Sequence, residues 1–193
     1  MIEIIFATNN KNKIKEVSPL LKNIKLLSLS EIDIFEEVPE NGDTLQENAL
    51  EKAMYVFNKT NKICFADDTG LEIDFLNNRP GVFSARYAGE DKNSQNNMNK
   101  VLLEMQNTNN RKAQFRTVIA LVFDKSEYYF FEGKVEGEML TEKRGNEGFG
   151  YDPIFKPNGY DLSFAEMDLN EKNKISHRAL ATKKLIEFLN KNY

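Results

Sequence analysis

The segment Ile63-Cys64-Phe65-Ala66-Asp67-Asp68-Thr69-Gly70-Leu71-Glu72-Ile73-Asp74-Phe75 decides the fold. Ile63 to Ala66 is a short apolar run and reads as a buried strand. Asp67-Asp68-Thr69-Gly70 reads as a turn at its carboxyl end, and Leu71 to Phe75 as a second short strand. Two carboxylates at the end of a buried strand stand where α/β folds place ligands. Side chains alternate along a strand, so a strand continuing through both aspartates would send them to opposite faces. One would then be the working group and the other a support. A hard divalent cation prefers such oxygens and is commonly shared with substrate phosphates. On the tetrapeptide alone, a purely structural turn is an equally good reading.

The flanking sequence supplies the remaining elements. Residues 2–8 are apolar and β-branched and predict a strand. The polar cluster Thr8 to Lys13 follows, and then Ile14, Val17, Leu20 and Leu21 recur at helical spacing, with Pro19 kinking or ending that helix. Residues 34–43 are acidic, contain Pro39 and Gly42, and read as a loop. Thr44 with Glu47 forms a capping box that opens a helix carrying Leu45, Ala49, Ala53 and Phe57 on one stripe. Ser94 to Met105 reads as a helix. Phe115 to Phe123 and Glu127 to Val135 read as a hairpin across Asp124-Lys125-Ser126. Residues 144–160 form a long Gly- and Pro-rich loop with a short strand inside it. Ser176 suits the N-cap of a last helix with Leu180, Leu185, Ile186 and Leu189 as its apolar face. Strands alternating with helices, then paired strands, predict an α/β fold with a mixed central sheet and flanking helices, in one domain over residues 1–193.

Composition narrows the function classes. The 193 residues are 40% hydrophobic and 29% charged, enough to bury a core unaided. A net charge of -4 argues against a duplex-binding basic face, though not against a single nucleotide. The lone cysteine, Cys64, fits a reducing compartment. The amino terminus lacks the basic flank and long apolar stretch of a signal peptide, and apolar runs such as Val118 to Phe123 are too short to span a bilayer. These features predict a cytoplasmic protein with no nucleic-acid or membrane partner. There is no P-loop, no dinucleotide fingerprint, no Cys/His cluster for zinc and no serine-hydrolase motif around the only histidine, His177.

Several polar clusters can carry chemistry. Asn10 and Lys13 at a helix start can meet a phosphate. In Gly148-Phe149-Gly150-Tyr151-Asp152, glycines allow close backbone approach, Phe149 can stack on a base, and Asp152 can accept from a ring N–H. Lys172 and Arg178 are donors only, suited to an oxo group or a phosphate and hostile to an amino group. Glu36, Glu37 and Glu40 precede the capped helix, and one of them can complete a metal site with Asp68.

The order and spacing of these segments are more specific than any one of them. Thr8-x-Asn10-x-x-Lys13, Glu47-Asn48-Ala49, Ala66 to Leu71, Pro80 to Tyr87, Gly148 to Phe155, Lys172 and Ser176 to Ala179 together resemble the inosine/xanthosine triphosphate pyrophosphatases, the Ham1-like family. The likeness runs from residue 2 into the last helix. It implies two lobes around a nucleotide-binding cleft, a homodimer, and Mg²⁺ (with Mn²⁺ possible) as cofactor. It implies hydrolysis of ITP, dITP or XTP to the monophosphate and pyrophosphate, which cleanses the nucleotide pool. Carried over by position, Asp68 and Lys13 are catalytic, and Glu40 joins Asp68 at the metal, with Glu37 as the fallback. Substrate contacts fall on Thr8, Asn9, Asn10, Lys11, Asn12, Lys13, Thr69, Phe149, Gly150, Tyr151, Asp152, Lys172, His177 and Arg178. Many members of the family have Gly where this chain has Asn9. Competing readings are a Maf-like pyrophosphatase acting on modified pyrimidine nucleotides, and a module that binds a nucleotide without cleaving it.

Overall fold

The computed structural model describes residues 2–192. In chain order its strands are β1 (Ile2–Phe6), β2 (Ile24–Ser28), β3 (Cys64–Ile73), β4 (Arg79–Gly81), β5 (Lys112–Asp124), β6 (Glu127–Met139) and β7 (Phe155–Pro157). Its α-helices are α1 (Lys11–Val17), α2 (Leu45–Thr60), α3 (Ser94–Glu104), α4 (Leu169–Ile175) and α5 (His177–Asn192). The strand order is β2-β1-β3-β5-β6-β7, with β4 paired to β3 off that path. β1 runs parallel to β2 and to β3, whereas β3 with β4 and β6 with β7 are antiparallel, so the sheet is mixed as expected.

The expected turn at Asp67–Gly70 does not form. β3 runs without interruption from Cys64 to Ile73, straight through both aspartates. Gly70 serves that continuity. A Cβ there would lie 2.8 Å from the Gly81 carbonyl oxygen, so only glycine lets β4 pair this closely. Asp and Gly favour turns locally, but here they lie within a strand paired on β1 before them and on β4 after them. β2 and α4 also escaped the sequence reading.

Other expectations hold. Thr44 accepts from Glu47 N–H at 3.1 Å and Glu47 accepts from Thr44 N–H at 3.0 Å, which completes the capping box of α2. α1 ends at Val17, and Pro19 sits in a short 3₁₀ turn, Ser18–Leu20. Asp124 caps the β5–β6 turn through Ser126 N–H and Oγ.

The chain divides into two compact units. The first contains residues up to Asp68, Thr117–Gly133 and the chain from Arg178. Its core joins Ile4, Phe6, Phe65, Ile119, Leu121 and Leu185, with the Phe6 and Phe65 rings stacked at 4.5 Å. The second contains Thr69–Arg116 and Lys134–His177. Its core joins Leu71, Met98, Phe115, Phe155 and Phe164 among others. Each large side chain so buried contributes roughly 1.5–3 kcal/mol. Among the described residues no helix is long and apolar enough to cross a membrane.

Removing the Thr44 hydroxyl tests the helix start. Thr44→Ala should lower the free energy of unfolding by about 1 kcal/mol in a urea titration, and an unchanged midpoint would show that Glu47 suffices alone.

Candidate functional site

Within the first unit, the continuous strand sends Asp67 and Asp68 to different partners. Asp67 is 2% exposed. Its Oδ1 accepts from Lys13 Nζ at 2.7 Å and its Oδ2 from Arg178 Nε at 3.0 Å. Asp68 accepts from Lys52 Nζ at 3.0 Å on Oδ1 and from Asn48 Nδ2 at 3.2 Å on Oδ2. Lys13 comes from α1, Arg178 from the first turn of α5, and Asn48 and Lys52 from successive turns of α2.

The two carboxylates also differ in acidity. Burial alone would raise Asp67, but the Lys13 and Arg178 cations outweigh it and hold this carboxyl well below the ordinary range. Burial raises Asp68 above the usual aspartate value despite the opposing pull of Lys52 and Lys13, and nearby Glu40 adds to the rise. Desolvation likewise lowers the Lys13 ammonium, against the attraction of Asp67. Asp67 is thus a fixed anion, and Asp68 is the carboxylate closer to exchanging a proton.

Glu40 is tied to this group. Lys52 Nζ bridges Glu40 Oε1 at 2.5 Å and Asp68 Oδ1 at 3.0 Å, so both oxygens already converge on a cation. Asn48 holds the same loop, its Oδ1 accepting from Gly42 N–H at 2.7 Å. Among the described residues no group of three or more His, Cys, Asp or Glu side chains gathers as a metal cage. Two hard carboxylates fit Mg²⁺, which takes one or two and fills its remaining positions with water and phosphate oxygens.

The amino-terminal cluster is more internally engaged than its composition implied. Asn10 caps α1, accepting from Asn12 N–H at 3.0 Å and Lys13 N–H at 3.3 Å, while Thr8 Oγ1 accepts from Asn10 N–H. The Asn9 side chain accepts from Ser30 N–H at 2.8 Å and donates to the Ile34 carbonyl at 3.2 Å. Asn9 therefore ties the polar loop to the 30–34 turn. Lys11 and Asn12 are exposed on the first turn of α1.

The second unit gathers Phe149, Asp152 and Lys172. Asp152 Oδ2 accepts from Phe149 N–H at 2.8 Å and from Lys172 Nζ at 2.6 Å. The Lys172 ammonium lies 5.3 Å from the Phe149 ring centre. Gly148 makes this possible: its φ is 73°, and a Cβ would fall 2.1 Å from Asp152 Oδ2. Gly150 is in the left-handed region with open space around it. His177 stacks on Phe115 at 4.6 Å and is almost wholly buried. Tyr151 belongs to the core, and its hydroxyl donates to the Ser84 carbonyl at 2.7 Å. Thr69 opens this unit and is half-buried.

Arg178 falls in a different unit from Phe149, Asp152, Lys172 and His177. It belongs to the first unit, and its guanidinium engages Asp67 and Glu16. The sequence motif Glu47-Asn48-Ala49 includes Asn48 without giving it a role, and Lys52 and Glu16 are in none of the motifs. Asn48 and Lys52 fall on the buried side of α2 beside Leu45, Ala49, Ala53 and Val56, and polar side chains on an apolar helical face were the available signal.

Asp67 yields a stability prediction. Its depressed pKa stabilises the fold fully above the unfolded value of about 3.9, and that contribution is lost as pH falls toward the folded value. Asp67→Asn strands two buried cations and should cost about 3–5 kcal/mol near pH 7. Urea unfolding should show the gap between wild type and variant closing below about pH 4. A gap independent of pH would refute the ionised role.

Known proteins match across nearly the whole chain. The Ham1 family model matches residues 4–188. The dITP/XTP pyrophosphatase of Christiangramia forsetii is 52% identical over 191 residues, covering 98% of this chain and 100% of that protein. That of Flavobacterium johnsoniae is 51% identical over 189 residues, covering 97% and 98%. The structure of a HAM1 protein from Coxiella burnetii superposes with a TM-score of 0.91 at 38% identity, covering 99% of this chain and 100% of that one. The chain belongs to the Ham1 family.

Proposed function

We propose that this protein hydrolyses non-standard purine nucleoside triphosphates (ITP, dITP and XTP) to the monophosphate and pyrophosphate, clearing them from the nucleotide pool. The observation that carries the reading is the division of Asp67 and Asp68 between two sets of cations on one strand. The names of the Flavobacterium and Christiangramia relatives agree with it.

In this reading Asp68 takes the proton of a water that attacks the α-phosphorus, and the bond to the α,β-bridging oxygen breaks. Burial pushes the Asp68 pKa above the ordinary aspartate value, which makes it a stronger proton acceptor. Lys13, held by Asp67, balances the negative charge gathering on the pyrophosphate. Magnesium, or manganese in its place, held by Glu40 and Asp68 would neutralise phosphate oxygens. Lys52 keeps those two carboxylates together before substrate arrives.

Base choice rests on the second unit. Phe149 offers a stacking face, and Lys172 is a donor with no acceptor capacity. Such a donor matches the 6-oxo group of hypoxanthine and xanthine and mismatches the amino group of adenine. An unmatched buried donor costs about 1–3 kcal/mol, or roughly 10- to 100-fold in selectivity per contact. A cytoplasmic setting fits the single buried Cys64. The homodimer follows from family resemblance.

Pyrophosphate release from ITP, dITP, XTP, GTP and ATP with Mg²⁺ tests the reading. The kcat/KM for ITP should exceed that for ATP by at least about tenfold. Equal rates, or release of orthophosphate in place of pyrophosphate, would overturn it.

A further inference from the structure

The carboxylate of Glu16 lies on α1 three residues beyond Lys13, so the two side chains share one helical face. Glu16 is 5% exposed. It accepts from Arg178 Nη1, while Arg178 Nε donates to Asp67 Oδ2 at 3.0 Å and Lys13 Nζ to Asp67 Oδ1 at 2.7 Å. The four groups alternate in sign and their charges cancel. Their exposure is uneven: the side chains of Glu16, Arg178 and Asp67 are 6%, 3% and 1% exposed, and that of Lys13 is 17%. A buried circuit thus begins and ends on α1 and presents its most open group, the Lys13 ammonium.

We propose that Glu16, acting through Arg178 and Asp67, is a positioning residue that holds Lys13 ready for the triphosphate. The physical reason is orientation and charge balance. Glu16 anchors Arg178 through Nη1 while Nε reaches Asp67 Oδ2, so the guanidinium is held from two sides and in turn fixes the carboxylate whose Oδ1 meets Lys13. Without the Glu16 charge the circuit carries an excess positive charge, Arg178 loses one of its anchors, and Asp67 and the ammonium shift with it. This deepens the phosphate side of the proposed function and rests on it.

A double-mutant cycle between Glu16→Gln and Lys13→Ala tests the relay. Glutamine keeps an acceptor for Arg178 but removes the charge. In wild-type background Glu16→Gln should lower kcat/KM for ITP about tenfold and weaken inhibition by pyrophosphate, whereas in Lys13→Ala background it should change both less than about twofold. Additive losses in the two backgrounds would overturn the relay, as would wild-type kinetics in Glu16→Gln. A merely structural role would lower the melting temperature in both backgrounds and leave the kinetics of the folded protein additive. Should Glu16→Gln not fold, Glu16→Asp serves in the same cycle: its retracted charge should give a smaller loss, again present only with Lys13. Pyrophosphate affinity, measured by calorimetry across the same four proteins, needs no turnover. If wild type fails to hydrolyse ITP, the proposed function falls, and the calorimetric cycle still decides the role of Glu16.

Discussion

The structure depends on two adjacent carboxylates in one unbroken strand. Because β3 does not turn at Asp67-Asp68, the strand's alternation carries the two side chains apart, and each meets its own lysine. Burying two anions side by side without partners would be prohibitive. The fold supplies Lys13 and Arg178 to one and Lys52 and Asn48 to the other. The remaining elements of the first unit can be understood as the means of delivering these four groups. α1 brings Lys13, α2 brings Asn48 and Lys52 one turn apart, and the first turn of α5 brings Arg178.

The arrangement also separates a static charge from a titrating one. Asp67 is locked as an anion by two cations and acts as an anchor. Asp68 is buried but less strongly compensated, and its acidity moves the other way. Such divergent environments for neighbouring acids are how one site holds both a base and a permanent charge. The acidic loop joins this scheme through α2, since Asn48 and Lys52 each bind both Asp68 and the loop, at Gly42 and Glu40. The second unit has a buried charge pair of its own, Lys172 with Asp152, packed against the Phe149 ring.

Much of this was legible in the sequence, for identifiable reasons. Local rules worked where local energy decides: the Thr44–Glu47 capping box, the end of α1 before Pro19, and the turn between β5 and β6. Motif order singles out Asp68, Lys13, Asp152 and Lys172 as candidates, and in the structure each has a charged partner. Local rules failed where tertiary pairing decides. Asp-Asp-Thr-Gly has the composition of a turn, yet it lies inside one strand that pairs with β1 before it and with β4 after it. Glu16 is an ordinary helix former whose immediate neighbours do not mark it as buried, and Lys52 is marked only by its place on the apolar face of α2. Their significance lies in partners 16 and 162 residues away. Adjacency in the chain does not give Arg178 and His177 the same partners: His177 stacks on Phe115, while the Arg178 guanidinium binds Asp67 and Glu16.

The central claim is the division of labour between the two aspartates, and parallel steady-state kinetics of Asp68→Asn and Asp67→Asn on ITP test it most directly. Asp68→Asn should lose kcat by at least about a hundredfold, as removal of a general base does, with a nearly unchanged KM. Asp67→Asn should chiefly raise KM through a misplaced Lys13. Equal losses of kcat in both variants with KM unchanged, or near-normal kcat in Asp68→Asn, would contradict the account.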